Sequence, residues 1–347
     1  MKQWNIGFIG CGKIFKTHYE SVNLLEGLNI SWICDLKHDD KSYLTENKIT
    51  KVTEDHVNQV DVIVILTDSG SHIDIVKNLP CYPKLILIEK PIVLKIEDFK
   101  ILEQIESNNN TKFFEVKQNR YNPSTESLLQ DIKNKKLFGD LISGHLSVHW
   151  CRDDEYYNAH AWRGSWLKDG GVLTNQSIHH LDILRLVSGQ FSRISAKYWS
   201  VKDYIEAEDV LKASVLFENS AEISIDVTTL ARPKNRHATL NLIFEKGYME
   251  LGGFAFEKFF SYSDVTKTYI SHVEDSLPYK TVKQKGHYKL YQNIIHYLQG
   301  EKYNLVDLND SKSTLNLLHS IYYACESNEV VLDNQTSSKL GLLPPSS

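Results

Sequence analysis

Asp169-Gly-Gly-Val-Leu-Thr-Asn-Gln-Ser-Ile-His-His-Leu-Asp182 concentrates residue types that move protons and bind hydroxyls. Gly170 and Gly171 allow a tight turn without a Cβ penalty. Thr174 then stands where an N-cap is expected, and Ile178, Leu181, Leu184 and Val187 repeat at helical spacing until Gly189. On that helix Asn175, His179 and Asp182 fall at i, i+4 and i+7, on one polar face near the positive end of the helix dipole. An imidazole and an amide presented together suit proton transfer and hydroxyl binding. The same pattern also describes a capped helix with a histidine on its solvated side. The rest of the chain must decide between the two.

A second group of residues opens the chain. The apolar run Trp4–Ile9 leads into Gly10-Cys-Gly12, and Ile14, His18, Val22 and Leu25 follow at helical spacing. Strand, glycine turn and helix form the context of a dinucleotide fingerprint. Gly10 permits the turn, and Gly12 lets the backbone N–H groups leading into Lys13 and Ile14 approach a pyrophosphate. Phe15 occupies the place of the usual third glycine. Asp35 ends the next strand, 23 residues after Gly12, where a carboxylate accepts from ribose hydroxyls and repels a 2′-phosphate, so NAD is expected over NADP. Further on, Glu89-Lys-Pro91 closes a buried strand, and Pro91 biases Lys90 towards an extended backbone. A lysine on such a strand tip can bind a hydroxyl or an alkoxide.

The elements that would carry these groups alternate strand and helix as far as residue 122. The strands run Trp4–Ile9, Ile30–Cys34, Val60–Leu66, Leu85–Ile88 and Lys112–Lys117, and the polar turn Thr67 to His72 lies at a strand's carboxyl end, where doubly wound sheets bind ligands. Beyond it the pattern changes. One helix (Ser124–Lys135) precedes alternating runs at Leu141–Trp150, Arg193–Val201, Val210–Glu218, Ala221–Thr228, Ala238–Phe244 and Tyr248–Leu251. Helical patterns at Tyr288–Leu298 and Ser311–Cys325 close the chain, before a loosely held tail over Gly341–Ser347. The fold class is therefore α/β: a Rossmann doubly wound parallel sheet over 1–122, then an α+β domain with a largely antiparallel open sheet over 123–347.

The 347 residues suffice for two cores, and a net charge of −5 offers no footprint for nucleic acid or a membrane surface. No apolar stretch approaches the roughly 20 residues of a membrane span. Cys11, Cys34, Cys81, Cys151 and Cys325 form no C-x-x-C pair, as expected of thiols in a reducing cytoplasm. Among 14 histidines, His145 and His149 share a strand face and His179 and His180 are adjacent, but no carboxylates complete a site. No metal is expected.

Gly7-Phe-Ile-Gly-Cys-Gly12, the turn ending in His72, Glu89-Lys-Pro91, Arg120-Tyr-Asn-Pro123 and Gly170-Gly-Val-Leu-Thr-Asn-Gln-Ser-Ile-His179 occur in the order found in Gfo/Idh/MocA oxidoreductases, which the chain resembles over nearly its whole length. The resemblance implies hydride transfer between NAD(P) and a sugar or cyclitol carbon, with Lys90 and His179 as catalytic residues. Asn175 stands where many members carry an aspartate; an amide cannot take a proton away, but it can orient a hydroxyl. The implied cofactor set is Gly10, Gly12, Lys13, Ile14, Asp35, Thr67, His72, Glu89 and Lys90. A homo-oligomer, dimer or tetramer, through the C-terminal sheet is also implied.

Within the family, Lys117-Gln-Asn-Arg-Tyr-Asn-Pro123, Trp162-Arg-Gly-Ser-Trp166 and Leu173–His179 are most similar to the sugar-nucleotide branch, the UDP-N-acetyl-2-amino-2-deoxyglucuronate 3-dehydrogenases of surface-polysaccharide synthesis. Arg152, Arg163 and Lys168, among Tyr156, Tyr157, Trp162 and Trp166, agree with that: guanidinium forks suit a diphosphate or carboxylate, and aromatic faces suit sugar or uracil rings. With Arg120 at the domain junction and Lys90, Asn175 and His179, they make up the expected substrate set. Two other readings stay open, a free-sugar or inositol dehydrogenase and an NAD-binding regulator without chemistry. The presence of both Lys90 and His179 argues against the regulator.

Overall fold

The computed structural model describes residues 2–35, 48–134, 138–263, 282–332, 334 and 338–342. The chain forms two compact units, Met1–Gln118 with Tyr279–Lys312, and Asn119–Pro278 with Ser313–Ser347. The expected boundary at 122/123 is near the first crossing, but the sequence reading placed 279–312 in the second domain and they belong to the first. The reason is packing. Leu290, Tyr291 and Ile294 on the late helix Val282–Gln299 are fully buried, and Val306 forms an antiparallel bridge to Glu115. An amphipathic helix shows an apolar face in sequence but not which sheet that face covers.

The first unit runs β1 (Trp4–Ile9), α1 (Phe15–Asn23), β2 (Leu28–Cys34), β3 (Lys48–Ile49), α2 (Glu54–Asn58), β4 (Val62–Ile65), α3 (His72–Lys77), β5 (Leu85–Ile88), α4 (Phe99–Asn108) and β6 (Lys112–Glu115). Its strands order as β3-β2-β1-β4-β5-β6, and every pairing is parallel. Val-Ile-Val-Ile in β4 and Leu-Ile-Leu-Ile in β5 are fully buried, as strands covered on both faces must be. The strand order reverses direction between β1 and β4, and ligands of such sheets bind at the carboxyl ends beside that point. In place of the third glycine, Phe15 meets Phe8 edge-on at 5.3 Å, so an aromatic contact joins α1 to β1 there.

The second unit continues with α5 (Pro123–Asn134), β7 (Leu141–His149), α6 (Asp154–Asn158), α7 (Ile178–Ser188), β8 (Phe191–Trp199), β9 (Val210–Phe217), β10 (Glu222–Thr228), β11 (His237–Phe244), β12 (Gly247–Gly252) and β13 (Lys258–Tyr262). The sheet order is β13-β12-β11-β7-β10-β9-β8, antiparallel except for the pair β7 and β10. Alternate residues are buried along β10, so one face carries the core. The helix Val282–Gln299 (α8) and Leu308–Ser327 (α9) complete the described elements, and the chain crosses back to the second unit inside α9. No helix among the described residues is long and apolar enough to cross a membrane. The tail begins held rather than loose: Leu340 is buried and the Gly341 N–H donates to the Trp166 carbonyl at 2.8 Å. Pro344 and Pro345 lie outside the described residues.

Ahead of α7 the backbone differs from the expected capped start. Val172–Gln176 is a π-helical turn, with the Ser177 N–H donating to the Val172 carbonyl at 3.0 Å. Thr174 is therefore no cap; its hydroxyl pairs with the Tyr322 hydroxyl of α9 at 2.8 Å. The turn rests on Glu208, whose Oε1 accepts from the Leu173 N–H and the Tyr322 O–H, both at 2.9 Å. A Cβ at position 171 would lie 1.9 Å from Glu208 Oε2, so only glycine permits this approach.

Burial pushes the Glu208 carboxyl up to about 8, against the donors that favour its charge. Because the folded state holds this proton more tightly than the unfolded chain, the stability it confers is complete below pH 4.5 and is lost as pH rises to about 8. Glu208→Gln keeps the shape and removes the titration. Calorimetry between pH 5 and 9 should show the parent losing Tm relative to the variant as pH rises, and parallel curves would refute the assignment.

Candidate active site

In the first unit the glycine turn and the Glu89-Lys-Pro turn stand at the carboxyl ends of β1 and β5. Gly10 has φ +94°, and a Cβ there would meet Thr67 at 2.9 Å. The Asp35 carboxylate accepts from the Cys11 N–H at 2.6 Å, so it is held beside this turn. A Cβ on Gly12 would point into open space, and the amides of Gly12, Lys13 and Ile14 take no partner among the described residues. The first turn of α1 holds no acidic side chain. Open room, unengaged N–H groups and a helix N-terminus without negative charge fit the pyrophosphate of a dinucleotide.

The backbone around Lys90 is held at each polar group. The Lys90 N–H donates to Glu89 Oε2 at 3.1 Å, and the Ile92 N–H to Glu115 Oε1 at 3.2 Å. The Pro91 carbonyl pairs with His72 Nδ1 at 3.0 Å, and the Lys90 carbonyl accepts from the Ser69 hydroxyl at 3.5 Å. Glu115 itself is buried against Lys117 at 2.9 Å. The Lys90–Pro91 peptide is cis.

The second unit assembles a separate group around Tyr156. Two guanidinium groups lie over its ring, Arg163 at 4.1 Å and Arg152 at 5.2 Å, and they also lie over Trp162 at 5.3 Å and Trp150 at 4.9 Å respectively. Arg152 donates from Nε to Gln176 at 2.8 Å, and Gln176 in turn donates to the Tyr156 hydroxyl at 2.9 Å. Burial raises the Tyr156 pKa, keeping the phenol protonated. Asn175 donates from Nδ2 to Asp169 Oδ1 at 2.5 Å and to the Tyr156 hydroxyl at 3.4 Å. A carboxylate only accepts, so Asp169 decides which end of the amide faces it. His179, one turn further along, is buried rather than on a solvated face, and His180 points elsewhere, to the Phe254 carbonyl at 3.1 Å. Lys168 is exposed.

Residues 4–116 match the family model described as an oxidoreductase family with an NAD-binding Rossmann fold, and residues 128–250 match the GFO/IDH/MocA C-terminal domain. This chain belongs to the Gfo/Idh/MocA oxidoreductases. It is similar to the WlbA dehydrogenase from Bordetella pertussis, solved in complex with NADH and UDP-GlcNAcA, at 26% identity and a TM-score of 0.84, covering 95% of this chain and 97% of that one. An uncharacterized oxidoreductase of Bacillus subtilis, YrbE, is 26% identical over 65% of this chain and 67% of its own length. Scyllo-inositol dehydrogenase from Lactobacillus casei shares the fold, with a TM-score of 0.72 and 16% identity over 95% of this chain and 98% of that one. As a member of the family the chain is an NAD-binding oxidoreductase.

Two of the expected ligand residues, His72 and Arg120, bond inside the protein. His72 was expected at the cofactor, but it is fully buried and its ring bridges Pro91 and Thr67, so its role in this Gfo/Idh/MocA chain is to brace the turn. Burial lowers its pKa, so it serves as a neutral ring. Arg120 was expected to hold a substrate anion, but its Nε and Nη2 both reach Asp182 at 2.6 Å. Asp182 also accepts from the Thr314 hydroxyl at 2.7 Å. Asp182 therefore belongs to a buried ion pair, not to the polar face proposed with His179. Tyr156 stands among the aromatic residues expected here, whereas nothing in the sequence assigns Asp169 or Gln176 a place in this group.

Breaking this pair leaves the buried Asp182 only the more distant Arg185, at 3.8 Å, and costs up to about 3–5 kcal/mol. Denaturant unfolding of Arg120→Met should show that loss, and Asp182→Leu added to it should recover much of it. Substrate KM should not change in any folded Arg120 variant; a selective rise in KM would return Arg120 to the substrate set.

Proposed function

We propose that this chain is an NAD-dependent dehydrogenase of a nucleotide-activated sugar acid, acting at the ring C3 hydroxyl of a UDP-N-acetylglucosaminuronate-like substrate in surface-glycan synthesis. The observation that carries this reading is the pair of guanidinium groups over Tyr156, next to the stretch that bears Asn175 and His179. A diphosphate and a ring carboxylate need cations with planar donor forks, and a uracil or sugar ring needs flat apolar faces. Similarity to the WlbA dehydrogenase supports the same substrate class. A plain sugar or inositol would leave the arginine cluster without an anion to meet.

Bound NAD supplies the hydride acceptor. His179 takes the proton of the hydroxyl as the C–H bond gives up its hydride, and the Lys90 ammonium stabilises the developing alkoxide. An ordinary histidine titrates at about 6.5 and a lysine at about 10.4, which assigns the base role to His179 and the cationic role to Lys90. Asn175, oriented by Asp169, holds a substrate hydroxyl. Arg152 and Arg163 meet the anionic groups. The cofactor contacts fall to Gly10, Gly12, Lys13, Ile14, Asp35, Thr67 and the Glu89–Lys90 turn. A second copy pairs through the open sheet, where Ile243 and its cross-strand partner Tyr248 are both half exposed.

Phosphate and carboxylate keep their charge during hydride transfer, so the arginines act uniformly on ground and transition states. Arg163→Ala should raise KM by about ten- to a hundred-fold and leave kcat nearly unchanged, the worth of one charge-assisted contact. His179→Ala and Lys90→Ala should instead abolish most of kcat. Turnover is followed as NADH absorbance with UDP-sugar acids against free sugars and inositols. Equal turnover of a free sugar would replace the substrate reading with a plain sugar dehydrogenase. No turnover on any of them would favour the regulator.

The Asp35 carboxylate beside the glycine turn should repel a 2′-phosphate. Fluorescence titration should show far tighter binding of NADH than NADPH, and Asp35→Ser should narrow the difference. Equal affinities in the parent would refute that role.

A further inference from the structure

Behind the Lys90 turn, inside the first unit, three ionisable side chains from three elements meet in a space closed to solvent. His18 on α1 and His287 on α8 are fully buried, and Glu89, just after β5, is buried as well. His18 Nε2 lies 3.0 Å from Glu89 Oε1, and its Nδ1 lies 2.8 Å from the Tyr291 hydroxyl on α8. His287 Nε2 is 4.0 Å from the same Glu89 oxygen, and the two imidazole rings meet edge-on at 4.6 Å. The other Glu89 oxygen accepts the Lys90 N–H.

Burial alone would raise the Glu89 pKa, yet the hydrogen bond from His18 and the two imidazoles hold it well below the usual carboxylate range. An ionised carboxylate only accepts, so His18 Nε2 carries the proton and donates it to Glu89. In a neutral ring the bare Nδ1 then accepts from Tyr291, whose phenol burial keeps protonated. The chain of donors runs from Tyr291 through His18 to Glu89, and the Lys90 amide meets the carboxylate from the other side.

We propose that His18, backed by Tyr291 and His287, is a positioning residue for Lys90 that acts through the Glu89 carboxylate. Nothing in this arrangement touches substrate. It ties the strand tip bearing the catalytic lysine to the nucleotide-binding helix α1 and to α8, the helix that rejoins the unit late in the chain. Two imidazoles and a carboxylate are also a donor set for a transition metal. The direct hydrogen bond at 3.0 Å, and the hydroxyl already on the outer nitrogen of His18, favour the metal-free arrangement.

The assignment of Lys90 as catalytic rests on the proposed function, so the experiment has one arm that needs no substrate. His18→Phe keeps an aromatic ring and removes both bonds; His18→Gln keeps a donor for Glu89 and an acceptor for Tyr291. In the holoenzyme, amide hydrogen exchange at Lys90 should quicken by about ten-fold or more in His18→Phe, the loss of one charge-assisted bond, while β4 and β5 stay protected. His18→Gln should restore protection. If His18→Phe does not fold, Tyr291→Phe removes only the outer hydroxyl and should give the same change in smaller measure. In the enzymatic arm His18→Phe should lower kcat more than it raises KM. Without its donor Glu89 takes up a proton more readily, so the acid limb of kcat should move to higher pH. His18, His287, Tyr291 and the neutral His72 are the titratable groups that face it or lie nearest. Unchanged exchange at Lys90 in a folded His18→Phe variant would overturn the proposal. So would a stoichiometric transition metal in protein purified without chelator, which would make the three residues ligands. A parent with no turnover would count against the proposed function alone, and the exchange arm would still decide this inference.

Discussion

A carboxylate drawn partly or wholly out of water must find donors, and at its tight turns this chain supplies them from the backbone. Glu89 accepts the Lys90 N–H, Glu115 the Ile92 N–H, Asp35 the Cys11 N–H, Glu208 the Leu173 N–H and Asp169 the Gly164 N–H. Each bond is charge-assisted where the acid is ionised, and a backbone donor cannot rotate away as a side chain can. The loops that carry chemistry are irregular, so they lack the ladder bonds that hold strands and helices. Acidic side chains reaching in from neighbouring elements take the place of that ladder.

The two sheets use the same principle to different ends. In the parallel sheet, strands buried on both faces have nowhere to expose polar groups except at their ends. Lys90 and the glycine turn gather at those carboxyl ends for that reason. In the second unit the sheet covers one face only, and the polar group around Tyr156 sits on the connection between β7 and α7 rather than on strands. That connection is rigid because the π-helical turn locks onto Glu208 and Tyr322, and because Asp169 closes back on Gly164 and Asn175.

The cations divide by what surrounds them. Arg120 and Asp182 pair out of solvent, with Thr314 on a remaining lone pair and Arg185 at 3.8 Å, and such a group holds architecture together. Arg152 and Arg163 lie over aromatic rings, with neutral amide and carbonyl partners rather than carboxylates. Neither guanidinium has a carboxylate at bonding distance among the described residues, which sets them apart from Arg120. Sequence spacing does not separate the two cases, since all three arginines flank aromatic and polar residues.

The longer strands and helices, the glycine turn, the carboxylate after β2 and the Glu-Lys-Pro strand tip are legible because each follows from local rules, whereas the short β3, α2 and α6 and the edge strand β13 are not. Period, turn chemistry and proline sterics act over a few residues and need no partner. The family resemblance was legible for the same reason, as motifs in order. What the sequence could not carry was any relation between distant positions. That α8 returns to the first unit, that Arg120 belongs to Asp182 across 62 residues, and that His18 meets Glu89 across 71 residues depend on which surfaces pack together. The start of α7 misled local reasoning because Thr174 has cap chemistry. Burial beside Tyr322 and the close approach of Glu208 to Gly171 turned the same residues into a π-helical turn. Local sequence determined which groups could do chemistry, and tertiary packing decided which of them carry structural bonds instead, because a buried polar group takes whichever partner the fold brings to it.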